Sequence, residues 1–258
     1  MRWHCHDLFH RMPQGGVAGG IAVVIDVLRA STTMIAALAN GAARVRPVAD
    51  VGEARTRAAA LGPGALLGGE RGGVRIDGFD LGNSPAEYGR DRVAGRAIVI
   101  TTTNGTAALA ACHAAREVVV GAMVNRSAVA TAVRRLATAA GVADAHLVCA
   151  GTDGAVTAED VLAAGAILDA ALRDAPADEL DAPARAALDA FRRAVQAADP
   201  RAALVAEFRR SPGGANLVAL GMEADLPVCA ALDTSGVVPR LDAASGWLTE
   251  MVPATKSG

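Results

Sequence analysis

Three times in this chain an unbroken apolar run stops at a polar turn and gives way to a helical pattern. In the first copy, Ile21 to Ile25 runs into Asp26. Arg29, Ser31, Thr32 and Thr33 follow, at the start of an apolar helix that ends at Asn40-Gly41. The second copy is Ala97 to Thr101 with its turn TTTNGT (101–106). The third is His146 to Ala150 with GTDG (151–154), after which Thr157, Glu159 and Asp160 open a long helix. A strand buried on both faces is apolar throughout, whereas a half-exposed one alternates. Such strands alternating with helices predict an α/β fold, a mostly parallel sheet in a three-layer α/β/α arrangement. Ligands in these folds bind beyond the carboxyl ends of strands. A helix N-terminus there adds unpaired N–H groups and partial positive charge, which suits an anion. Asp26 and Arg29 therefore predict a site for a phosphate-like ligand.

The rest of the chain fits the same plan. Residues 2–9 read as a first strand, 43–48 as another, and Asp50 to Glu53 as the capping box of a helix reaching Leu61. A short strand at 65–67 leads into a glycine-rich loop over 68–83, GGERGGVRIDGFDLGN, and so long a loop inside a domain is usually functional. In Ser84-Pro85-Ala86-Glu87 the serine reads as a helix cap, the proline suits the first helical position and the glutamate closes a capping box. Strand 118–120 precedes a helix that Asn125, Arg126 and Ser127 introduce and that runs to about Ala140. Between 174 and 210, Pro176, Pro183 and Pro200 divide an Ala-rich charged stretch into two helices. Ser211-Pro212 starts a short helix to Leu220, residues 227–232 read as a late strand, and the tail after Trp247 reads as frayed.

Composition decides which chemistry is open. Lys256 is the only lysine among 25 basic residues, which excludes a P-loop ATPase and Schiff-base chemistry, so anions must be held by arginine. Aromatic residues are 3% against 52% hydrophobic, so the core is built from Ala, Val, Leu and Ile. A net charge of −2 argues against nucleic acid or an anionic membrane as partner. Cys5, Cys112, Cys149 and Cys229 lack metal spacing and read as buried thiols. With neither a signal-type apolar segment nor a membrane-length apolar run, the expected location is cytoplasmic.

The polar residues gathered at strand ends and in the long loop are Asp26, Arg29, Glu70, Arg71, Asp80, Asn83, Thr102, Asn104, Asp153, Glu159 and Asp160. Hard oxygen ligands of this kind suit Mg²⁺, held by one or two carboxylates together with a substrate phosphate. Other motifs fail. His4-Cys5 with Arg11 has cysteine-phosphatase spacing but no glycine to shape a cradle, and His4, His6 and His10 define no closed zinc site. Gly82-Asn83-Ser84-Pro85-Ala86 has no apolar strand before it, as a nucleophile elbow requires. Asp26 lacks the second Asp of a haloacid-dehalogenase-type phosphatase, and no G-x-G-x-x-G follows a strand.

VVIDVLRASTT (23–33), LLGGERGG (66–73), GFDLGNSPAEY (78–88), TTTNGT (101–106) and CAGTDG with its trailing Glu159-Asp160 resemble, in order, the 2-phosphosulfolactate phosphatase (ComB) family. Ser31 stands where that family commonly has threonine, Val238-Pro239 resembles its closing segment, and 174–210 matches none of its motifs. The resemblance implies a Mg²⁺-dependent phosphatase converting 2-phospho-3-sulfolactate to 3-sulfolactate, a step of coenzyme M biosynthesis. It implies one catalytic unit over 1–258, with the site in a cleft between lobes at about 1–120 and 121–245 and a tail at 246–258. Catalysis is then expected from Asp26, Arg29, Glu70, Asp80, Asn104 and Glu159. Substrate binding is expected from Arg71, Asn83, Thr102, Thr103, Gly105, Thr106 and Asn125, and metal binding from Asp26, Asp80 and Asp160. The attacking group, an aspartate or a metal-bound water, stays open, as does a rival small phospho-acid substrate or a non-catalytic anion-binding role. Apolar helix faces are compatible with a homodimer.

Overall fold

The computed structural model describes residues 1–175 and 177–251, so Pro176 and Lys256 lie outside the described residues. The elements are β1 (Arg2–His6), β2 (Ile21–Ile25), α1 (Ala30–Ala39), β3 (Arg44–Pro47), α2 (Val51–Leu61), β4 (Leu66–Arg71) and β5 (Val74–Arg75). Then come α3 (Arg90–Val93), β6 (Ala97–Thr101), α4 (Gly105–Ala111), β7 (Glu117–Gly121), α5 (Arg126–Ala140), β8 (Asp144–Cys149) and α6 (Ala158–Asp174). The last are β9 (Glu179–Leu180), α7 (Ala182–Ala194), α8 (Pro200–Arg210), α9 (Pro212–Ala219), α10 (Asp225–Cys229), β10 (Pro239–Leu241) and β11 (Leu248–Glu250).

The strands line up as β5-β4-β6-β3-β11-β10-β7-β2-β8-β1-β9. Pairings within β4-β6-β3 and within β7-β2-β8-β1-β9 are parallel. The β10–β11 hairpin joins the two blocks through antiparallel pairings to β7 and β3. Three antiparallel steps separate β7 from β3, so the blocks run in opposite directions.

Strand β2 shows why its sequence is apolar throughout. It lies between β7 and β8, with Val23 opposite Val119 and Leu147, and all five residues are buried. Ile21, Val23 and Ile25 face a core shared with Val133 of α5, Ile167 of α6 and Phe191 of α7. Ala22 and Val24 face a second core with Ile35 of α1 and Leu109 of α4. Each large apolar side chain so buried contributes about 1.5–3 kcal/mol. Helices cover both faces, as three layers require. Several helix starts follow their capping residues. Asp50, Asp181, Asp199 and Ser211 accept from the backbone N–H of Glu53, Ala184, Ala202 and Gly214. Pro183, Pro200 and Pro212 occupy first turns, where a missing N–H costs nothing.

Four expectations are corrected. The loop over 68–83 is partly strand, since β4 runs to Arg71 and folds back on β5 with Glu70 opposite Arg75. Gly68 and Gly69 let Tyr88 and the Thr101 backbone approach closely, while Gly72 and Gly73 take the positive φ of the hairpin tip. Ser84 does not cap the short 3-10 turn Pro85–Glu87, and Glu87 accepts from the N–H of Gly82 instead of closing a capping box. Residues 225–229 are helix α10, not strand, because a short apolar run fits either state. Beyond Trp247 the chain is paired as β11, whose partners β10 and β3 no local pattern reveals. Among the described residues no helix is long and apolar enough to cross a membrane.

Candidate active site

The carboxyl ends of β2, β4 and β6 meet the first turn of α9 around a cavity of about 70 Å³. β2 supplies Asp26 and the turn residue Arg29, and β4 supplies Glu70 with the hairpin tip Gly72-Gly73. Thr103 and Asn104 follow β6, Thr152 and Asp153 follow β8, and Asn83, Gly213 and Asn216 complete the wall. Larger hollows exist, such as one of about 350 Å³ beside α4 lined by His113 and Arg116, but the strand-end carboxylates Asp26 and Glu70 gather only at the first.

Asp26 is 7% exposed, and its Oδ1 accepts from the N–H of Ala30 at 3.1 Å. Burial first, then the nearby Asp160 charge, raises its carboxyl well above the ordinary range. Gly105 belongs to the same contact, because a Cβ there would lie 2.7 Å from Asp26 Oδ2. Only glycine lets the start of α4 approach that carboxylate. Glu70 is pinned twice, Oε1 accepting from Thr103 N–H at 2.8 Å and Oε2 from Gly73 N–H at 2.7 Å. The Leu28–Arg29 peptide bond is cis. Arg29 faces the cavity, yet Nη1 donates to Asp225 Oδ2 at 2.7 Å and Nη2 to the Gly73 carbonyl at 2.9 Å.

The atoms without partners are informative. Asn83 Oδ1, at the cavity wall, and Glu159 Oε2, behind it, are buried and accept no hydrogen bond within the protein. Glu159 is 1% exposed, and burial followed by the Asp160 charge pushes its carboxyl up to about 7. A Cβ on Gly213 would fall 2.8 Å from Glu159 Oε1, so glycine there leaves the cavity open toward that acid.

Other expected site residues stand elsewhere. Asp160 gives both oxygens to backbone, accepting from Val27 N–H at 2.8 Å and Gly151 N–H at 2.9 Å. It ties the end of β2 to that of β8, and burial lifts its carboxyl to about 6. Asp80 is exposed and accepts from Leu67 N–H. Arg71 is exposed, bonded to the Glu70 carbonyl and Thr101 Oγ1, and does not line the cavity. Thr102 and Thr106 bond to each other across the start of α4. Asn125 is fully buried and satisfied by Ala122 N–H and the carbonyls of Val120 and Val237. Asp225, Ser84, Gly213 and Asn216 are the contributors that the sequence reading missed. Ser84 sits inside the 78–88 motif but read as a helix start, and nothing local singles out Asp225, Gly213 or Asn216.

The donors at the cavity suit a hard divalent cation: one or two carboxylates and an amide oxygen with free lone pairs, where the remaining ligands would be water and substrate oxygen. Among the described residues no three His, Cys, Asp or Glu side chains converge to hold a metal by themselves.

Known proteins resemble this chain along most of its length. The family described as 2-phosphosulpholactate phosphatase matches residues 7–244. A "Probable 2-phosphosulfolactate phosphatase" of Deinococcus radiodurans is 46% identical over 229 residues, covering 86% of this chain and 87% of that one. Proteins of the same name are 43% identical in Symbiobacterium thermophilum, over 88% of this chain and 93% of theirs, and 38% identical in Caldicellulosiruptor saccharolyticus, over 81% and 83%.

Proposed function

The chain belongs to the 2-phosphosulpholactate phosphatase family, a group of phosphoric monoester hydrolases, and on that premise we propose that it hydrolyses 2-phospho-3-sulfolactate to 3-sulfolactate and phosphate with Mg²⁺. The observation that carries the reading is the charge of the cavity. Asp26, Glu70 and Asp153 line it, and the lining arginine, Arg29, is already paired with Asp225. A multiply anionic substrate cannot enter such a wall unaided. Asp26 and Asn83 Oδ1 would hold the cation, which when bound supplies the positive charge that neutralises phosphoryl oxygens.

The protein's own residues supply the rest. Asp26 is the acid held at the buried strand end against the reacting group, oriented by Ala30 N–H and the close start of α4. Glu70 orders the hairpin tip and Thr103 as the wall around the phosphate. The first turns of α4 and α9 bring partial positive charge to the same space. Glu159, behind Gly213, is a proton-holding group near neutrality.

A second reading, another small phospho-acid as substrate, gains from one observation: among the described residues no lining cation is left over to select a sulfonate. Phosphate release from a panel of phospho-acids, with Mg²⁺ and with EDTA, tests both. Mg²⁺-dependent release with preference for phosphosulfolactate is expected. Equal release across the panel supports the second reading, and EDTA-insensitive turnover overturns the metal.

A further inference from the structure

We propose that Asp225, which lies in no recognised motif, is a positioning residue of this cleft, holding Arg29 so that the hairpin tip Gly72-Gly73 and the Asn83 turn stay closed around the reacting group. The proposal rests on the phosphatase reading above. Asp225 Oδ2 accepts from Arg29 Nη1 at 2.7 Å, and Oδ1 accepts from Ser84 Oγ at 2.7 Å. Arg29 passes the restraint on, since Nη2 donates to the carbonyl of Gly73 at 2.9 Å. The two charged side chains are 2% and 7% exposed. One carboxylate on α10 thus ties down the turn before α1, the tip between β4 and β5, and the turn before Pro85.

All three segments end at the cavity. Gly73 N–H donates to Glu70 Oε2, and Glu70 Oε1 in turn accepts from Thr103, so the position of the tip sets both. Asn83 precedes Ser84, and its carbonyl accepts from Thr33 Oγ1 at 2.7 Å. The turn is therefore held from both sides while Asn83 Oδ1 keeps its lone pairs. α9 adds a lighter hold, Asn216 Nδ2 donating to the Gly72 carbonyl at 3.1 Å. Nη1 divides its N–H groups between Asp225 and Met222 Sδ, and Nη2 gives one to Gly73, so the guanidinium is fixed in place by three partners. Arg29 acts through the wall it holds. Removing one partner of a buried pair leaves an uncompensated charge, and displacement of reacting groups by about 1 Å costs about 100-fold in rate.

The test uses the full chain, with Asp225→Asn, Ser84→Ala and their combination. Three readouts are phosphate-release kinetics, amide hydrogen exchange and thermal unfolding. Asp225→Asn is expected to lower kcat/KM by about 10–100-fold. Exchange should quicken over 70–75 and 83–84 and stay unchanged in β2, β7 and β8. Ser84→Ala should do the same more weakly, and the double variant should fall short of additivity because the two share one carboxylate. Should Asp225→Asn fail to fold, Ser84→Ala carries the same readouts alone. Hairpin exchange unchanged in the folded variants overturns the proposal, as does a loosened hairpin with wild-type kcat/KM. If the wild type releases no phosphate from any phospho-acid, the phosphatase reading falls, and hairpin exchange by itself decides whether Asp225 holds the wall.

Discussion

On β1 and β8, His4 and His6 stack on His146 at ring-centroid distances of 4.8 and 5.5 Å. His6 Nε2 and His146 Nδ1 are 3.2 Å apart, and His4 reaches Asp144 at 3.0 Å and Asp181 at 3.4 Å. In the cleft, by contrast, Glu159 and Asn83 each keep a buried oxygen without a partner, beside the desolvated acid Asp26. Both clusters gather ionisable groups, His4 and His6 partly exposed, His146 and the cleft acids buried, and the histidines invited a metal reading from spacing alone. The difference is satisfaction. A buried polar atom without a partner costs about 1–3 kcal/mol, which a fold retains where a ligand completes the bond. The histidine cluster is closed on itself, whereas the cleft is incomplete.

The hardest test of that contrast is Asp26→Asn. Phosphate release should fall about 1000-fold, the scale of losing a key electrostatic group. The melting temperature should hold or rise, because Asp26 is a desolvated acid repelled by Asp160 and Glu70. Unfolding of this variant would place Asp26 with the structural carboxylates instead.

Asp160 is the control within the same cluster, since both its oxygens serve backbone N–H groups. Asp160→Ala should cost about 2–4 kcal/mol, or a melting drop of about 4–16 °C for a chain of this size. A fully stable, merely inactive variant would show that Asp160 belongs to the chemistry. Asn83→Ala should reverse that pattern, with a melting point close to wild type and activity or Mg²⁺ affinity reduced about 10–100-fold. Wild-type Mg²⁺ affinity by calorimetry would remove Asn83 from the metal site.

The smallest effect is the most specific. Burial, then the charges of His4 and His6, lowers the pKa of His146 to about 4 from an ordinary 6.5. Its contribution to stability is thus full above pH 6.5 and is lost as pH falls toward 4. Glu159, raised to about 7 from 4.5, does the opposite, its contribution being full below 4.5 and lost as pH rises through 7. The two regions offset each other across one window. In EDTA, His146→Gln should gain stability on acidification from pH 7 to 5, and Glu159→Gln should lose it more steeply than wild type. Parallel profiles for the two variants would abolish the distinction.

Much of this was legible in the residues. The buried strands ending at Ile25, Thr101 and Cys149 announced themselves, because a strand covered on both faces has no polar side to show. Helix starts at Asp50 and Ser211 carried their own caps. Glu70, Asn83 and Asn104 do meet Asp26, whereas Asp80, Arg71 and Asn125 serve the scaffold. Nothing local separates these two groups, because a carboxylate beside a glycine can bind a cation or merely tie a turn.

By itself, then, the sequence determined the α/β plan, the strand-end placement of Asp26 and the family, since periodicity, capping and long motifs are written in neighbouring residues. Tertiary structure alone decided which polar atoms stay unpartnered, that Arg29 is spoken for by Asp225, and that the chain beyond Trp247 returns to join two opposed parallel blocks. Those outcomes depend on contacts between residues far apart in the chain. Arg29 and Asp225 are separated by 196 positions, and only the packed fold brings their charges within 2.7 Å.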